Sequence, residues 1–375
     1  MNEDKAARYQ RLKRRASIVS LVWSVALLTV LVATGRSVSL RTLAERAASA
    51  SAGTSWVPAV SVAFEVALLA AINELGSLPI AFYSGFLVEQ RYELSKERVG
   101  GWAIDRLKSF TVATLLAIGA ASLLYFIIRL HPGRWWLPAG AVFALLIVGV
   151  AKLGPVLLLP LFYRVKPLAH DALRRRLVSL AERAGAPVLG AYEWGLSTKT
   201  RQANAALAGL GSTRRILVSD TMLSEYSDEE IEVVLAHELA HHVHRDIWKG
   251  LAFESALVLA GFYFAARMLG WSSIGPAELR GPSDPAGLPV LLLALSAVSL
   301  VMAPVAHALS RAYERSADRF ALEVTGNPRA FVSAMRRLAE QNLAEEHPSR
   351  FVLWLFYGHP PIRDRIAAAE SFAAR

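Results

Sequence analysis

The chain has 375 residues and no cysteine, and 54% of its residues are hydrophobic, with a mean hydropathy of +0.35. This composition predicts a polytopic membrane protein and disfavours a set of soluble domains. The lack of cysteine excludes disulfides and thiolate ligands, so any metal must be held by histidine and carboxylate side chains. The net charge of +10 fits basic residues that flank membrane spans, and we expect no nucleic-acid partner.

A basic N-terminal segment precedes the first predicted span, which runs without charge from Ile18 to Gly35. The small residues at its end would also suit signal-peptide cleavage. The apolar stretch is long for a signal peptide and more spans follow, which favours an uncleaved anchor. Residues 36–55 are rich in Ala and Ser, and we predict that they form a short polar loop.

The second predicted span, Trp56 to Phe86, carries Glu65 and Glu74. Ionisable groups at membrane depth are costly, so they usually face protein or a water-filled cavity. Two interpretations stay open. Either these acids and Glu254 of a later span border a hydrated space between the helices, or each is paired or interfacial around a dry bundle.

Four further apolar stretches bring the number of predicted spans to six. The third follows a basic loop at residues 89–109, and a Gly/Pro-rich loop at Ile274–Gly287 separates the last two. The basic N terminus and the basic loop both favour the cytoplasm, which places residues 164–248 and 310–375 on that same side. The four stretches are Phe110–Ile128, Trp135 to about Ala151, Gly250–Ala266 and Leu288–Leu309.

Residues 164–246 form the first long soluble stretch. His170–Ala184 has the pattern of an amphipathic helix. Three short strands are predicted after it, with turn residues between the last two. These strands are Ala191–Leu196, Ala203–Ala208 and Arg215–Val218.

The sequence His-Glu-Leu-Ala-His at residues 237–241 follows these strands. Ser227 and Glu230 match a capping box, and apolar residues then recur at helical spacing, so the segment is predicted to be helical. On a helix, His237 and His241 project from one face and can hold one Zn²⁺. Glu238 beside them can reach a metal-bound water as general base. The chain has only nine histidines, which disfavours a chance pairing.

Catalytic zinc takes three protein ligands, and the C-terminal tail offers the third. Glu314 and Asp318 are four residues apart and share a helix face. Glu314 can ligate while Asp318 accepts a hydrogen bond from a ligand imidazole. Because Arg311 and Arg315 flank the two acids, a solvated, salt-bridged helix is an equally open interpretation. His242 and His244 point to other faces and are interpreted as ordinary helix-end residues.

These residues together resemble the type I CAAX prenyl protease family of integral-membrane zinc metallopeptidases. The resemblance covers most of the chain, and its ordered set of motifs is highly specific. The similar segments are Leu78-Pro79 through Leu94, Pro160-Leu161-Phe162 through Leu168, Asn204-Ala205 through Gly211, Arg215 through Thr221, the His237–His241 motif, Glu314 with Asp318, and His359-Pro360-Pro361 with Arg365.

The resemblance implies that His237, His241 and Glu314 hold zinc and that Glu238 is the base. It also implies that Asn204, His359 and Arg365 bind substrate or stabilise the transition state, with His359 as candidate donor to the oxyanion. A peptide can lie as an added strand along Asn204, Ala205 and the residues that follow. Peptide or protein substrates, including lipid-modified ones, and membrane lipids are the expected partners.

The expected fold is mainly α: a polytopic helical membrane protein with about six spans and a small α+β zincin-type metalloprotease domain. The predicted divisions are a transmembrane region (1–163), a soluble protease domain (164–248), a transmembrane hairpin (249–309) and the C-terminal part of the protease domain (310–375). The expected location is a bacterial plasma membrane, with the active site on the cytoplasmic side.

Three functions are weighed against one another. The first is an endopeptidase that cuts near the C terminus of CAAX-type or similar membrane-tethered chains. The second is a quality-control protease for membrane proteins that needs no prenyl group. The third is a transporter whose intramembrane acids border a path, and it is disfavoured because it leaves the metal motif unexplained.

Overall fold

Long helices dominate the structure, a computed structural model that describes residues 3–209, 211–272 and 279–374. A π-helical turn at Tyr83–Leu87 joins α3 to α4, and a 3₁₀ turn at Pro285–Gly287 precedes α12. The helices are α1 (Glu3–Ala33), α2 (Arg36–Ser51), α3 (Val57–Phe82), α4 (Val88–Arg91), α5 (Val99–Leu130), α6 (Trp136–Leu157), α7 (Leu159–Phe162), α8 (Asp171–Arg183), α9 (Asp220–Glu225), α10 (Asp228–Val243), α11 (Asp246–Ser272), α12 (Leu288–Thr325), α13 (Pro328–Gln341), α14 (Arg350–Phe356) and α15 (Ile362–Ala373).

Six helices in the described residues are long and apolar enough to cross a membrane, which confirms the predicted number of spans. They are α1, α3, α5, α6, α11 and α12. Part of the predicted loop at Ile274–Gly287, residues 274–278, lies outside the described residues. The mainly helical membrane fold with a small sheet is therefore confirmed.

The sixth spanning helix, α12, continues far beyond the apolar stretch that predicted it. It has 38 residues and ends where Gly326 adopts a left-handed conformation with a φ of 60°. Residues 310–325 thus extend the helix by 16 residues, about 24 Å at 1.5 Å per residue. The predicted boundary at residues 309 and 310 falls inside one rigid helix, and Glu314 and Asp318 are positioned directly by a membrane span.

The predicted loop at residues 36–55 is wrong over most of its length, because residues 36–51 form α2. Alanine and arginine favour helix, and the Ala-rich face of α2 is buried on α3 at Ala44 and Ala48. Arg41 on the same face forms a buried ion pair with Asp284, which precedes α12. Tertiary contacts therefore stabilise a helix that the polar composition of these residues did not predict.

In the described residues, none of the three intramembrane acids borders the cavity at the metal motif or the cavity between the spans, so neither cavity supports the hydrated-space interpretation. Arg106 donates two hydrogen bonds to Glu74, one of them at 2.7 Å from Nη2 to Oε2. Glu254 is exposed on α11. Glu65 is 1% exposed, and neither of its carboxylate oxygens has a hydrogen-bond partner among the described residues.

A cavity of about 470 Å³ between the six spanning helices is lined mainly by apolar side chains, with none of these acids on its wall. Trp135 and Phe262 pack with centroids 5.7 Å apart within the same bundle. Close helix approach is possible at Gly140 and Gly261, where an added Cβ would meet Leu259 and Leu295. This cavity is therefore apolar, whereas Glu65 and the Arg41–Asp284 pair are buried elsewhere among the helices.

The soluble elements pack around a separate core in which Leu177, Leu235 and Phe331 are fully buried. The predicted amphipathic helix is α8, and its Leu173, Leu177 and Leu180 face this core. The core fixes α10 against α8, α12 and α13.

A four-stranded sheet covers one side of this core in the order β1-β2-β4-β3. The β2–β4 pair is parallel and the two outer pairs are antiparallel. β3 forms one edge, and the register places Ala205 opposite Val218. The strands are β1 (Val165–Pro167), which was not predicted, β2 (Ala191–Trp194), β3 (Ala205–Ala208) and β4 (Arg215–Ser219).

Candidate metal centre and catalytic site

The helix α10 carries the His-Glu-Leu-Ala-His motif and begins at the predicted capping box. The Ser227 backbone donates to Glu230 Oε2 at 2.8 Å, and the Glu230 backbone donates to Ser227 Oγ at 3.3 Å. Ile231, Leu235 and Leu239 anchor one face of the helix in the core. This anchoring presents the motif residues to the opposite face, toward α12.

Three side chains from α10 and α12 converge as a candidate metal site: His237, His241 and Glu314. Their ligand atoms all lie within 4.8 Å of one another. His237 Nε2 is 3.3 Å from Glu314 Oε2, and His241 Nε2 is 3.4 Å from Glu314 Oε1. Bonds of about 2.0–2.2 Å at tetrahedral angles place ligand atoms about 3.3–3.6 Å apart, so these residues fit a tetrahedral metal ion.

Asp318 and Arg365 support His237 from the side away from this triangle. His237 Nδ1 lies 2.8 Å from Asp318 Oδ1, and Arg365 Nε donates to Asp318 Oδ2 at 2.8 Å. Burial lowers the pKa of His237, but hydrogen bonds to Asp318 and Glu314 outweigh it and raise the pKa to about 9. The negative charges that favour a proton on this ring would also attract a metal cation, which competes with the proton for the ring nitrogen.

Asp246 supports the second histidine in the same way, a role that was not predicted from the sequence. Its Oδ2 lies 3.2 Å from His241 Nδ1, and its Oδ1 accepts from Lys249 Nζ at 2.8 Å. The chain reverses at Arg245, whose φ is 59°, and this turn returns Asp246 to the ring five residues before it. The only sign of this contact in the sequence is a carboxylate shortly after the motif, since an arginine does not predict a left-handed turn.

A cavity of about 350 Å³ opens beside the triangle and is bordered by Glu238. Burial raises the pKa of the Glu238 carboxyl, and the neighbouring histidines oppose that rise. The cavity can therefore hold a peptide next to a carboxyl group suited to proton transfer. Its apolar wall includes Met222, Val234, Met335 and Leu338, none of which the sequence indicated.

The structure brings Asn204, Ala205, His359 and Arg365 to the wall of the same cavity. Ser219 donates its backbone hydrogen to Asn204 O at 2.9 Å, which fixes the start of β3. His359 lies at the rim with its side chain 69% exposed, and its Nδ1 is 2.8 Å from Glu314 Oε2. Arg365 has a side chain that is 9% exposed and uses its guanidinium for the pair with Asp318.

The remaining histidines near the motif lie outside the triangle. His242 Nε2 lies 3.4 Å from Leu207 O of β3, and burial chiefly lowers the pKa of His242 to about 4. His244 Nδ1 lies 3.3 Å from Ser316 Oγ. His307, for which the sequence suggested no role, lies on α12 near Gly358.

Two family models match this chain. Residues 167–373 match peptidase family M48, and residues 2–164 match the model described as CAAX prenyl protease N-terminal, five membrane helices. The chain therefore belongs to peptidase family M48 and is a membrane metalloprotease. In the region of the second match, the described residues contain four spanning helices and the shorter α2.

Individual relatives agree with this assignment. The uncharacterized metalloprotease YhfN of Bacillus subtilis is 32% identical over 308 residues, which cover 81% of this chain and 72% of the relative. CAAX prenyl protease 1 of Saccharomyces cerevisiae is 26% identical, with 81% and 70% covered. The crystal structure of S. mikatae Ste24p has the same fold, with a TM-score of 0.84 and 24% identity over 98% of this chain and 88% of that one.

Proposed function

We propose that the protein is a zinc metalloendopeptidase that cuts peptide bonds near the C terminus of membrane-tethered substrates. One observation carries the proposal: the His237–His241–Glu314 triangle lies beside Glu238, in a cavity bordered by the start of the edge strand β3. Two imidazoles and one carboxylate are a ligand set that catalytic zinc uses. Relatives from yeast and plants named CAAX prenyl protease 1 favour C-terminal processing of the substrate.

A bound zinc ion would acidify a water ligand and polarise the scissile carbonyl. Glu238 takes the proton of the attacking water and later gives it to the leaving amine. His359 at the cavity rim donates a hydrogen bond to the oxyanion as it develops. Asp318 and Asp246 hold the two metal-binding imidazoles in their reactive orientation.

The substrate backbone lies along β3 in this proposal. β3 pairs only with β4 within the described sheet, so its other edge can accept an extended peptide. Asn204 is exposed where β3 begins and lines the cavity, so its side chain can bond a substrate amide. Arg365 remains a predicted substrate contact that also pairs with Asp318.

The site lies close to the membrane surface, because Glu314 follows Leu309 by five residues of one helix, about 8 Å along its axis. The basic N terminus and the basic residues between α4 and α5 favour the cytoplasmic side of a bacterial plasma membrane. Substrates tethered to that leaflet, including lipid-modified chains, would then reach β3 without leaving the membrane.

The test is digestion of a farnesylated CAAX peptide beside its unprenylated copy by purified protein in vesicles. We expect cleavage of the farnesylated peptide that phenanthroline abolishes. Glu238→Gln should retain one zinc per chain and cleave neither peptide, because the amide cannot accept the proton. Full activity in that variant would refute the mechanism, and equal cleavage of both peptides would favour the quality-control function.

A further inference from the structure

The short helix α14 exposes two aromatic side chains on one face. Phe351 is 63% exposed and Trp354 is 50% exposed, and their ring centroids lie 6.1 Å apart. They are three residues apart and therefore project from the same side of the helix. We name this pair the aromatic face. The helix α14 packs on α12.

Hydrogen bonds from two arginines of spanning helices locate α14 relative to the membrane. Arg311, two residues past the apolar stretch of α12, donates through Nη1 to Leu353 O at 3.0 Å and to Tyr357 O at 2.6 Å. Arg14, four residues before the apolar stretch of α1, donates to Tyr357 Oη at 2.9 Å. Two spans independently place the end of α14 at the membrane boundary.

We propose that α14 is an interfacial anchor whose aromatic face enters the lipid leaflet on the side of the metal site. Tryptophan and other large amphipathic rings favour the headgroup level of a bilayer. A short helix with an apolar face lies in that plane and gains from burying it. Arg350, exposed at the start of α14, adds attraction to anionic headgroups.

The anchor has a consequence for the site that rests on the proposed function. Tyr357 leads directly into Gly358 and His359. Gly358 lies against α12, where an added Cβ would come within 3.1 Å of Ser310 Oγ. The segment from Trp354 to His359 is short, and Tyr357 and Gly358 within it are held against α1 and α12. Lipid contact at Trp354 therefore fixes His359 beside Glu314.

Single-cysteine labelling tests the lipid contact without relying on activity, since the chain has no cysteine. Trp354→Cys is labelled with bimane and reconstituted into vesicles whose lipids carry a spin label near the headgroup end of the acyl chain. Val301→Cys, 74% exposed on a span, is the lipid-facing control. Arg329→Cys, exposed beyond the end of α12, is the water-facing control.

We expect lipid quenching at position 354 to approach that at 301, with none at 329. Quenching at position 354 that is no greater than at position 329 would overturn the proposed membrane anchor. So would a label shielded from water but not quenched by lipid, because that pattern indicates protein, such as a second copy, on the aromatic face.

Peptide cleavage then tests the link to His359. Trp354→Ser should cut more slowly in vesicles with its metal content unchanged, and Trp354→Phe should restore the rate. Equal rates for wild type and Trp354→Ser would overturn the link. If the wild type cleaved no peptide at all, the proposed function would fail while the quenching result still decided the anchor.

Discussion

Each histidine of the candidate metal site has a carboxylate on its second ring nitrogen. Asp318 serves His237, and Asp246 serves His241. Such partners fix the tautomer and orientation of an imidazole ligand, and their loss typically costs about 10–100-fold in metal affinity or activity. The two carboxylates come from different helices, so the site depends on both α11 and α12.

Asp246→Asn should weaken metal binding about 10–100-fold, because the amide cannot hold the ring of His241 with a full charge. Titration against a chromophoric chelator measures the affinity. Lys249→Gln is the matched control, since Lys249 contacts the same carboxylate from a half-exposed position and such pairs contribute about 0–1 kcal/mol. Equal affinities for the two variants would exclude an orienting role for Asp246.

Glu314→Ala should lose stoichiometric zinc, because two imidazoles alone leave too few ligands for a stable site. Asp318→Ala should retain zinc with reduced affinity. Elemental analysis of the purified variants distinguishes the two. One zinc per chain in Glu314→Ala would remove that residue from the ligand set, and wild-type affinity and activity in Asp318→Ala would reduce Asp318 to a structural partner of Arg365.

Asp220 organises the loop that follows β2. Its Oδ1 accepts from the backbone of Leu196 at 2.8 Å and of Ser197 at 2.9 Å. Burial raises the pKa of Asp220, but hydrogen bonds from the Ser197 hydroxyl and these amides outweigh it and lower the pKa. A carboxyl whose pKa is lower in the folded state stabilises the fold at pH values above its ordinary pKa. That stabilisation is lost as the pH falls through the pKa of the folded state.

Asp220→Asn should therefore lower the free energy of unfolding by about 1.5–3 kcal/mol at neutral pH, the range for hydrogen bonds to a charged group. The difference from wild type should shrink toward about pH 3. Denaturant titration in detergent at the two pH values measures it. A difference that is constant with pH would show that charge is not the cause.

At the scale of helices, small residues permit the spans to approach one another. Gly76 of α3 faces the ring of Trp23 on α1, where an added Cβ would overlap the indole. The indole is also held by a hydrogen bond from its Nε1 to Asn73 O at 3.3 Å. The ring cannot move aside without breaking that bond, so the contact limits the size of residue 76.

Gly76→Ala should destabilise the protein by about 1–3 kcal/mol, as overpacking does. Gly119→Ala on α5 is the control: a Cβ there meets nothing within 4 Å, and alanine favours helix over glycine. Thermal unfolding in detergent compares the two. A Gly76→Ala midpoint at or above that of Gly119→Ala would contradict the packing argument.

For the whole molecule, the order of spans places α2 and the metal site on opposite sides of the membrane. α2 follows one span from the N terminus, whereas α10 follows four. The positive-inside rule predicts that the N terminus and the site are on the cytoplasmic side. The helix α2, on the opposite side from the site, carries three arginines, Arg36, Arg41 and Arg46. The charge of Arg41 is neutralised by its ion pair with Asp284.

Arg46→Cys should therefore react with an impermeant maleimide in intact cells, and Arg329→Cys only after the membrane is opened. Both residues are exposed in the structure, so a difference in labelling reports sidedness rather than burial. The reverse pattern would place the metal site outside the cell and invalidate the proposed cytoplasmic substrates, while leaving the metal chemistry intact.

Much of the fold was predictable because its determinants are local. Six apolar stretches of spanning length and the capping box at Ser227 and Glu230 depend only on neighbouring residues, and the structure agrees with them. α2 was missed because its stabilising contacts, Arg41 with Asp284 among them, join residues 243 apart in sequence. β1 was missed because three residues carry too little pattern to predict a strand.

The sequence by itself paired His237 with His241 through helical spacing, and the resemblance to the CAAX prenyl protease family, rather than spacing, favoured Glu314 as the third ligand. The sequence also predicted Asp318 as a partner of a ligand imidazole, but only the tertiary structure decided that Asp246 and Arg365 support the site as well. The left-handed turn at Arg245 returns Asp246 to His241, and Arg365 reaches Asp318 across 47 positions. These contacts depend on backbone reversals and on helix packing between distant segments, which no local pattern of residue types encodes.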